Sequence, residues 1–187
     1  MKKIYIFALT LAIVAVSCQK DYEGFGDISQ CPELQEVIDK INDSSEIDDD
    51  LLLETLQTTG MVAIDSYRQK NNGAWKGSKS YDSASSTILC FENEAYLYSR
   101  LMNDPIECFG PYPLRYDAKT NTIYTQSIIH PNEEFKAVVK YFDGEIVILD
   151  GLFMPEHDMY NDDYAEYRYI VTYSLDKEMR ENYEELL

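Results

Sequence analysis

The chain has 187 residues, enough for one domain with a sizeable core, and 45% of them are hydrophobic. Its 34 acidic residues outnumber the 16 basic ones and give a formal net charge of −18. A chain this acidic repels nucleic acid and anionic lipid headgroups, which argues against nucleic-acid binding and against electrostatic attachment to a membrane.

The first 17 residues predict a targeting signal that is not part of the fold. Lys2-Lys3 begins a basic segment, and residues 4–16 form an apolar run that is short for a transmembrane helix. The run ends in Ala15-Val16-Ser17-Cys18, which resembles the lipobox of bacterial lipoproteins. The resemblance implies a diacylglycerol on Cys18, an outer-membrane location and membrane contact through that lipid only. The alternative is an ordinary secretory signal with a chance cysteine.

Residues 18–30 predict a polar tether between the lipid and the fold. The segment Gln19-Lys20-Asp21-Tyr22-Glu23 looks like the surface-export signal of Bacteroidota lipoproteins. The resemblance implies display at the cell surface; a plain solvated linker on the periplasmic face is the alternative. We therefore expect a signal peptide at 1–17, a tether at 18–30 and a single folded domain at 31–187.

Three short helices are predicted around the central part of the chain. Pro32 suits the first turn of a helix, and apolar residues recur at helical spacing over residues 32–42. Ser45 can cap a second helix, whose apolar residues run from Ile47 to Leu56. Ser174 can cap a final helix near the C-terminus.

An antiparallel meander is predicted between these helices. Eight short apolar runs are separated by turn-forming residues, a rhythm typical of a barrel or a sandwich. The runs are Met61–Gln69, Thr87–Phe91, Ala95–Met102, Tyr112–Tyr116, Thr122–Ile129, Phe135–Phe142, Glu145–Phe153 and Glu166–Ser174. Residues 76–86 are polar and are predicted to form a loop.

The clearest unit of the meander is the hairpin around Asp143-Gly144. We expect a type I′ turn with these two residues at its centre, which pairs Phe142 with Glu145. Both faces of the two flanking strands are apolar. One face should therefore line a barrel interior, and a helix from either terminus should cover part of the other.

The segment 60–174 resembles the lipocalin-like domains of Bacteroidota lipoproteins in its strand rhythm and in the patterns at 89–94, 116–123 and 139–148. The resemblance implies a mainly β fold: about eight antiparallel strands closed into a lipocalin-like barrel, with N-terminal helices and a short C-terminal helix. The family's G-x-W motif has its literal match in Gly73-Ala74-Trp75, after the first predicted strand. Arg168 would be the family's basic residue over the tryptophan ring. A sandwich or an open, curved sheet is the alternative.

The sequence contains no recognisable catalytic or cofactor motif. His130 and His157 lie on different predicted loops without metal-ligand spacing, and the nucleophile-elbow, zincin, phosphate-loop and dinucleotide motifs are missing. We expect no enzyme, cofactor or metal. A hydrolase built on two carboxylates is an alternative with only generic acidic residues behind it. Oxygen ligands crowd residues 155–164, but their spacing does not fit a calcium loop; they are Asp158, Asn161, Asp162 and Asp163.

Three cysteines remain once Cys18 is assigned to the lipid. An odd number leaves at least one thiol free outside the cytoplasm. Cys31, Cys90 and Cys108 are therefore expected to include buried free thiols that pack as small apolar side chains.

Tyrosine is the compositional outlier, with 16 residues. Rows of tyrosine on strands usually serve sheet packing, but their rings and polar tips also suit a sugar or an amphipathic ligand. We expect a small apolar or amphipathic ligand inside the barrel. The alternative is a protein- or glycan-interaction module with a filled barrel and no small-molecule cavity. The candidate ligand-binding residues are Tyr96, Tyr98, Tyr124, Tyr141, Tyr167 and Tyr169.

Overall fold

A computed structural model of the chain describes residues 24–79, 84–101, 106–126, 132–153 and 167–186. Three helices and nine strands lie within these ranges. In chain order they are α1 (Leu34–Asn42), α2 (Asp49–Thr58), β1 (Gly60–Lys70), β2 (Trp75–Lys79), β3 (Ala84–Cys90), β4 (Glu94–Leu101), β5 (Glu107–Asp117), β6 (Thr122–Gln126), β7 (Glu134–Phe142), β8 (Ile146–Gly151), β9 (Tyr167–Asp176) and α3 (Lys177–Glu184).

Eight of these strands close into an antiparallel barrel. Strands β3 to β9 pair in chain order, and β9 returns to pair with β1 from Gly60 to Lys70. The predicted mainly β meander, its closure into a barrel and its flanking helices are therefore confirmed. The other edge of β1 is shared between two strands: β3 pairs with residues 60–62 and β2 with residues 65–69.

Strand β2 corrects the prediction of a loop over residues 76–86. Asn71 and Asn72 both have positive φ, at 49° and 56°, and fold the chain back onto β1. The ring of Trp75 then lies on the outer wall of the barrel, where it is 1% exposed. The other residues of β2 are not hydrophobic, and the strand pairs with β1 through backbone hydrogen bonds. Hydrophobic alternation therefore could not predict it.

The β7–β8 hairpin keeps its predicted location, but the centre of its turn moves by one residue and the pairing of its strands therefore moves by two. Asp143 N–H donates to the carbonyl of Ile146, so Gly144 and Glu145 are the central residues of the turn. Phe142 therefore pairs with Val147 and not with Glu145. The Asp143 carboxylate explains the shift, because it accepts the backbone N–H groups of Glu145 and Ile146 and fixes Asp143 before the turn.

The two faces of this hairpin are covered as expected. Val147 and Leu149 point into the barrel, whereas Ile148 lies outside under α1. A β-bulge between Val139 and Tyr141 turns Val139 to the inner face, although strict alternation places it outside with Tyr141. Helix α1 buries its apolar residues on this outer wall; they are Leu34, Val37 and Ile38.

Helix α2 lies across one end of the barrel. Its Leu52 and Leu56 are buried among inner-face residues such as Met61 and Cys90. The Tyr116 hydroxyl donates to the Asp49 carboxylate and joins the helix to β5. The helix begins later than predicted because its N-cap is Asp48 rather than Ser45; the Asp48 carboxylate accepts the N–H of Leu51 at 3.0 Å. This end of the barrel is filled with side chains.

Helix α3 packs outside the barrel against β1, β3 and β4. Its N-cap is Asp176 rather than the predicted Ser174, because the Asp176 carboxylate accepts the N–H groups of Glu178 and Met179. Arg180 is 7% exposed and donates to the Cys90 carbonyl at 2.8 Å. Burying this guanidinium fixes the helix to the end of β3.

The cysteines of the described ranges are free thiols. Cys31 and Cys90 are buried and Cys108 is exposed. Burial raises the pKa of the Cys90 thiol to about 12, against the opposing effect of Arg180. The thiol therefore stays protonated and packs against Met61, with its sulfur 3.8 Å from the thioether. The expectation of buried free thiols is confirmed at two positions.

Candidate functional site

The six tyrosines singled out in the sequence do not form one site. Tyr98 and Tyr141 lie outside the barrel beneath helices. The ring centre of Tyr98 is 5.0 Å from that of Tyr183 on α3. The Tyr141 hydroxyl donates to Asp143 at 2.9 Å, and its ring lies 6.0 Å from Lys40 of α1. Both residues therefore hold a helix or a turn against the sheet.

Tyr96 and Tyr124 lie on the outer wall of the barrel as well. Tyr96 packs edge-on against Phe91 and donates to Glu94 at 3.2 Å. Tyr124 lies under the guanidinium of Arg115, whose carbon is 3.7 Å from the ring centre. Neither ring can reach a ligand inside the barrel.

Of the six candidate tyrosines, Tyr167 and Tyr169 lie on the inner face, at the end of the barrel opposite α2, which we call the far end. Both share the inner face of β9 with Tyr173, because every second residue of a strand points to the same side. Their ring centres are 6.1 Å apart at an angle of 46°. Tyr169 is 6% exposed, and Tyr167 is half-buried.

Two basic residues of β1 complete this cluster. Arg68 pairs directly with Tyr169, and Lys70 with Tyr167. The Arg68 guanidinium carbon lies 5.4 Å from the centre of the Tyr167 ring, and the Lys70 amine lies 5.3 Å from it. Both separations fall within cation–π range. We call these four residues the basic-aromatic cluster.

The cluster borders the apolar core of the barrel. Val171 follows Tyr169 on the same face of β9 and packs against the core. Phe153, after the end of β8, is 2% exposed and belongs to that core. The Thr125 hydroxyl donates to the Phe153 carbonyl and fixes its position. The far end thus places charge, aromatic rings and apolar surface side by side.

Sequence reasoning missed Arg68 and Lys70 because it considered only tyrosines as ligand-binding residues; a β-bulge at Ile64 also changes which face of β1 points inward. Strict alternation groups Ala63 with Asp65 and Tyr67 on one face. In the structure, the pairing of β1 with β9 shifts between Ala63 and Asp65. Ala63 then faces the core, while Tyr67 lies outside under α1. The same shift carries the even-numbered residues beyond it, including Arg68 and Lys70, to the inner face.

A concave feature lies on the outer wall at β5, β6 and the start of β7. It is a groove of about 330 Å³. Arg115, stacked on Tyr124, donates to Glu134 at 2.9 Å along its side. Its lining combines apolar and polar groups and includes Pro113, Arg115, Tyr124, Gln126, Asn132 and Glu134. A hollow between α2 and the barrel measures only about 30 Å³.

Several candidate positions lie outside the described residues. They are the lipid-attachment residue Cys18, both histidines and the acidic segment 155–164. Within the ranges that the structure describes, no group of three His, Cys, Asp or Glu side chains could hold a metal ion. No helix in those same ranges is long and apolar enough to cross a membrane.

Arg168 does lie over the tryptophan of Gly73-Ala74-Trp75, with its guanidinium carbon 5.7 Å from the ring centre. The contact is on the outer wall and includes Phe25, whose carbonyl accepts the Trp75 indole N–H at 2.7 Å. It closes the N-terminal segment onto the barrel and takes no part in the far end. No protein-family model matches the chain, and a search of curated proteins finds no match to its sequence.

Proposed function

We propose that the chain is a lipid-anchored protein of the cell envelope that binds a small amphipathic ligand at the far end of its barrel. The observation that carries the proposal is the basic-aromatic cluster beside an apolar core. Binding sites for small molecules typically combine apolar and aromatic walls with a few placed polar groups. Tyr167 and Tyr169 supply rings with polar tips, and Val171 and Phe153 supply apolar surface.

The packing of the barrel limits where such a ligand can lie. Leu52 and Leu56 of α2 fill the opposite end, together with Met61 and Cys90. A ligand therefore enters only part of the interior and keeps its polar end near Arg68 and Lys70. Its apolar end points toward Val171 and Phe153.

A fluorescence titration tests ligand binding. The mature chain, residues 18–187 with Cys18→Ser, is titrated with 1-anilinonaphthalene-8-sulfonate, an amphipathic probe that brightens in apolar surroundings. We expect saturable binding of one probe per chain, weakened about tenfold by Tyr167→Ala because loss of an aromatic contact costs about 1 kcal/mol or more. Tyr96→Ala, on the outer wall, is the matched control and should bind normally. Equal binding by both variants would remove Tyr167 from the site.

The anchor rests on the signal-peptide pattern and the lipobox-like Ala15-Val16-Ser17-Cys18. Mass spectrometry of the protein from its native membrane should show a diacyl-modified Cys18 at the N-terminus. Cys18→Ser should move the protein to the soluble fraction, because acyl chains contribute roughly 0.8 kcal/mol per buried CH₂. Unmodified mature protein from wild-type cells would contradict the anchor without affecting the ligand site.

A second candidate function, glycan binding, is supported by the outer groove. Its volume of about 330 Å³ is at the lower end for small-molecule sites, and Arg115, Gln126 and Asn132 offer donors to sugar hydroxyl groups. A glycan array with the same mature chain tests it. Binding that Arg115→Ala abolishes and Tyr167→Ala preserves would place the function in the groove.

A further inference from the structure

We propose that the end of the barrel covered by α2 is a docking surface for a basic segment of a partner protein, anchored by one aliphatic side chain. The anchor enters the hollow between α2 and the barrel, which we call the α2 hollow. The basic residues beside the anchor pair with carboxylates around the hollow. This surface is distinct from the ligand site proposed above, which lies at the opposite end of the barrel.

The walls of the α2 hollow are mainly apolar. They come from α2, from the end of β3 and from the inner faces of β5 and β6, and the apolar residues are Leu53, Leu56, Phe91, Leu114, Tyr116 and Ile123. The volume of about 30 Å³ holds roughly two water molecules or the tip of one aliphatic side chain. Water finds few hydrogen-bond partners against such walls, so its displacement by an apolar group is favourable.

Contacts behind these walls hold the hollow open. The Tyr116 hydroxyl donates to Asp49 and fixes the first turn of α2 over the barrel. The Arg180 guanidinium carbon lies 4.2 Å from the centre of the Phe91 ring, and the Tyr96 ring packs edge-on against Phe91 at 5.7 Å. An anchor therefore binds in a preformed hollow, without the entropy cost of ordering its walls.

The surface around the hollow is acidic. Five acidic residues lie within residues 46–59 and two within residues 91–94, and neither segment contains a lysine or an arginine. Glu92 lines the hollow, and Asp50 lies on the same side of α2 as Leu53, three residues away. Both carboxylates are exposed, and within the described residues neither forms an ion pair or a side-chain hydrogen bond. The one nearby cation, Lys119, lies on the turn between β5 and β6.

This charge selects the chemistry of the partner. A second copy of the chain would bring the same acidic end and is repelled, as are nucleic acid and anionic lipid. A segment with lysine or arginine on both sides of one aliphatic residue complements the surface in charge and in shape. Interfaces of this kind combine a small apolar anchor pocket with charged groups that select the partner.

Nuclear magnetic resonance titration of the isotope-labelled mature chain with Cys18→Ser locates and ranks the binding of short peptides. The probes are capped Lys-Lys-Leu-Lys-Lys, the same peptide with serine at its centre, and Glu-Glu-Leu-Glu-Glu. We expect amide shifts at α2, at residues 91–92 and at residues 114–123, and no binding of the acidic peptide. The leucine peptide should bind about fivefold more tightly than the serine peptide, because only leucine places an aliphatic group in the hollow.

A matched pair of variants on α2 tests the hollow. Leu53→Trp fills it and should remove the preference for leucine over serine. Leu51→Trp places the same ring on the opposite flank of the helix, so the preference should remain. Gln57→Trp starts at the exposed rim and covers the hollow without rearranging the core. It should have the effect of Leu53→Trp, and it replaces that variant if circular dichroism shows that Leu53→Trp does not fold.

A second matched pair tests the carboxylates. Glu92→Gln should weaken the binding of both basic peptides by about two- to threefold, because one partly exposed ion pair is lost. Glu36→Gln on the exposed face of α1 changes the net charge by the same amount and should leave both affinities unchanged. The comparison separates a local ion pair from the attraction of any acidic chain for a basic peptide.

The outcomes are distinct. Loss of the leucine preference in Leu53→Trp, with its retention in Leu51→Trp, supports the docking surface. Equal binding of the leucine and serine peptides, or equal weakening by Glu92→Gln and Glu36→Gln, would indicate general charge attraction and overturn the proposal. Concentration-dependent shifts of the same amides without peptide would identify a second copy as the occupant and also overturn it. Absence of peptide binding at millimolar concentration overturns it as well.

Discussion

Arg168 holds the Asp150 carboxylate with two hydrogen bonds, from Nε at 3.0 Å and from Nη2 at 2.7 Å. The same guanidinium lies 4.7 Å from the ring centre of Phe25 and donates to the Gly24 carbonyl. With the Trp75 contact, one arginine of β9 thereby joins β8, β2 and the N-terminal segment. On the outer wall, the Arg168–Asp150 ion pair, with its two hydrogen bonds, therefore lies against the rings of Phe25 and Trp75.

Removal of this arginine should destabilise the fold. Arg168→Ala leaves the largely buried Asp150 carboxylate without its partner and should lower the free energy of unfolding by about 2–3 kcal/mol. Arg168→Lys keeps the charge but not the paired geometry and should cost less. Urea unfolding followed by circular dichroism measures both. An Arg168→Ala effect below about 0.5 kcal/mol, the level of an ordinary surface substitution, would contradict this role.

Helix α2 offers a matched pair of leucines for testing the filled end of the barrel. Leu52 is fully buried in the core, whereas its neighbour Leu51 is 48% exposed. Leu52→Ala should cost about 2–5 kcal/mol, which lowers the melting temperature by roughly 5–15 °C. Leu51→Ala should stay within about 0.5 kcal/mol of the parent chain. Thermal denaturation that shows similar losses for both would mean that α2 does not close the barrel.

The β7–β8 turn depends on Gly144, whose φ is +92°. A β-branched side chain is strained at that angle, so Gly144→Val should cost roughly 1–3 kcal/mol although no atom crowds the site. Glu145→Val changes the other central residue of the same turn and should cost less. Comparison of the two melting temperatures checks this expectation. Gly73→Val is a poorer control, since its Cβ would lie 3.0 Å from the Lys70 carbonyl.

The same turn should make stability depend on pH in the acid range. Burial alone would raise the pKa of Asp143, but the N–H groups of Glu145 and Ile146 and the Tyr141 hydroxyl outweigh it and hold that pKa below its ordinary value of 3.8. A folded pKa below the unfolded one stabilises the fold above the unfolded pKa, and this contribution is lost as the pH falls through the folded pKa.

Asp143→Asn isolates this contribution. The variant should be less stable than the parent chain at pH 7, and the difference should shrink below about pH 4 as Asp143 of the parent protonates. Urea unfolding between pH 2 and pH 7 measures the difference. A gap that stays constant down to pH 2 would show that the charge of Asp143 is not what stabilises the turn.

The three described thiols should differ sharply in reactivity. Cys108 is exposed, whereas Cys31 and Cys90 are buried and burial raises the pKa of both. Because the thiolate is the reacting form, iodoacetamide at pH 8 should label Cys108 in the native protein with Cys18→Ser. Cys31 and Cys90 should react only after unfolding. Peptide mass spectrometry locates the label, and fast native labelling of Cys90 would contradict its place in the core.

The sequence predicted the architecture because strand rhythm and amphipathic periodicity are set locally. The two faces of β7 and β8 read as apolar in the sequence, and the structure places one inside the barrel and the other under α1. Side-chain direction was less predictable, since a single bulge reverses the alternation beyond it. The bulge at Ile64 exchanges the two faces of β1 beyond it, and the bulge before Tyr141 places Val139 on the inner face.

The helix starts illustrate a different limit. Ser45 and Asp48 can both cap a helix, and the sequence does not decide between them; in the structure the Asp48 carboxylate accepts the Leu51 N–H. The tyrosines were similarly ambiguous. The abundance of tyrosine indicated an aromatic site. Tyr98 and Tyr141 are packing residues instead, because helices cover them, and the sequence pattern could not predict where those helices lie. Only pairing between distant strands brings Tyr167 next to Lys70.

The bond from Arg168 to the Gly24 carbonyl sets how far the barrel can stand from a bilayer. If Cys18 carries the lipid, only six peptide units separate it from Gly24, and an extended chain of that length reaches about 20 Å. Arg168 lies between Tyr167 and Tyr169 in the sequence of β9, so the fixed point of the tether is close to the far end. The far end of the barrel would then lie within about that distance of the lipid surface.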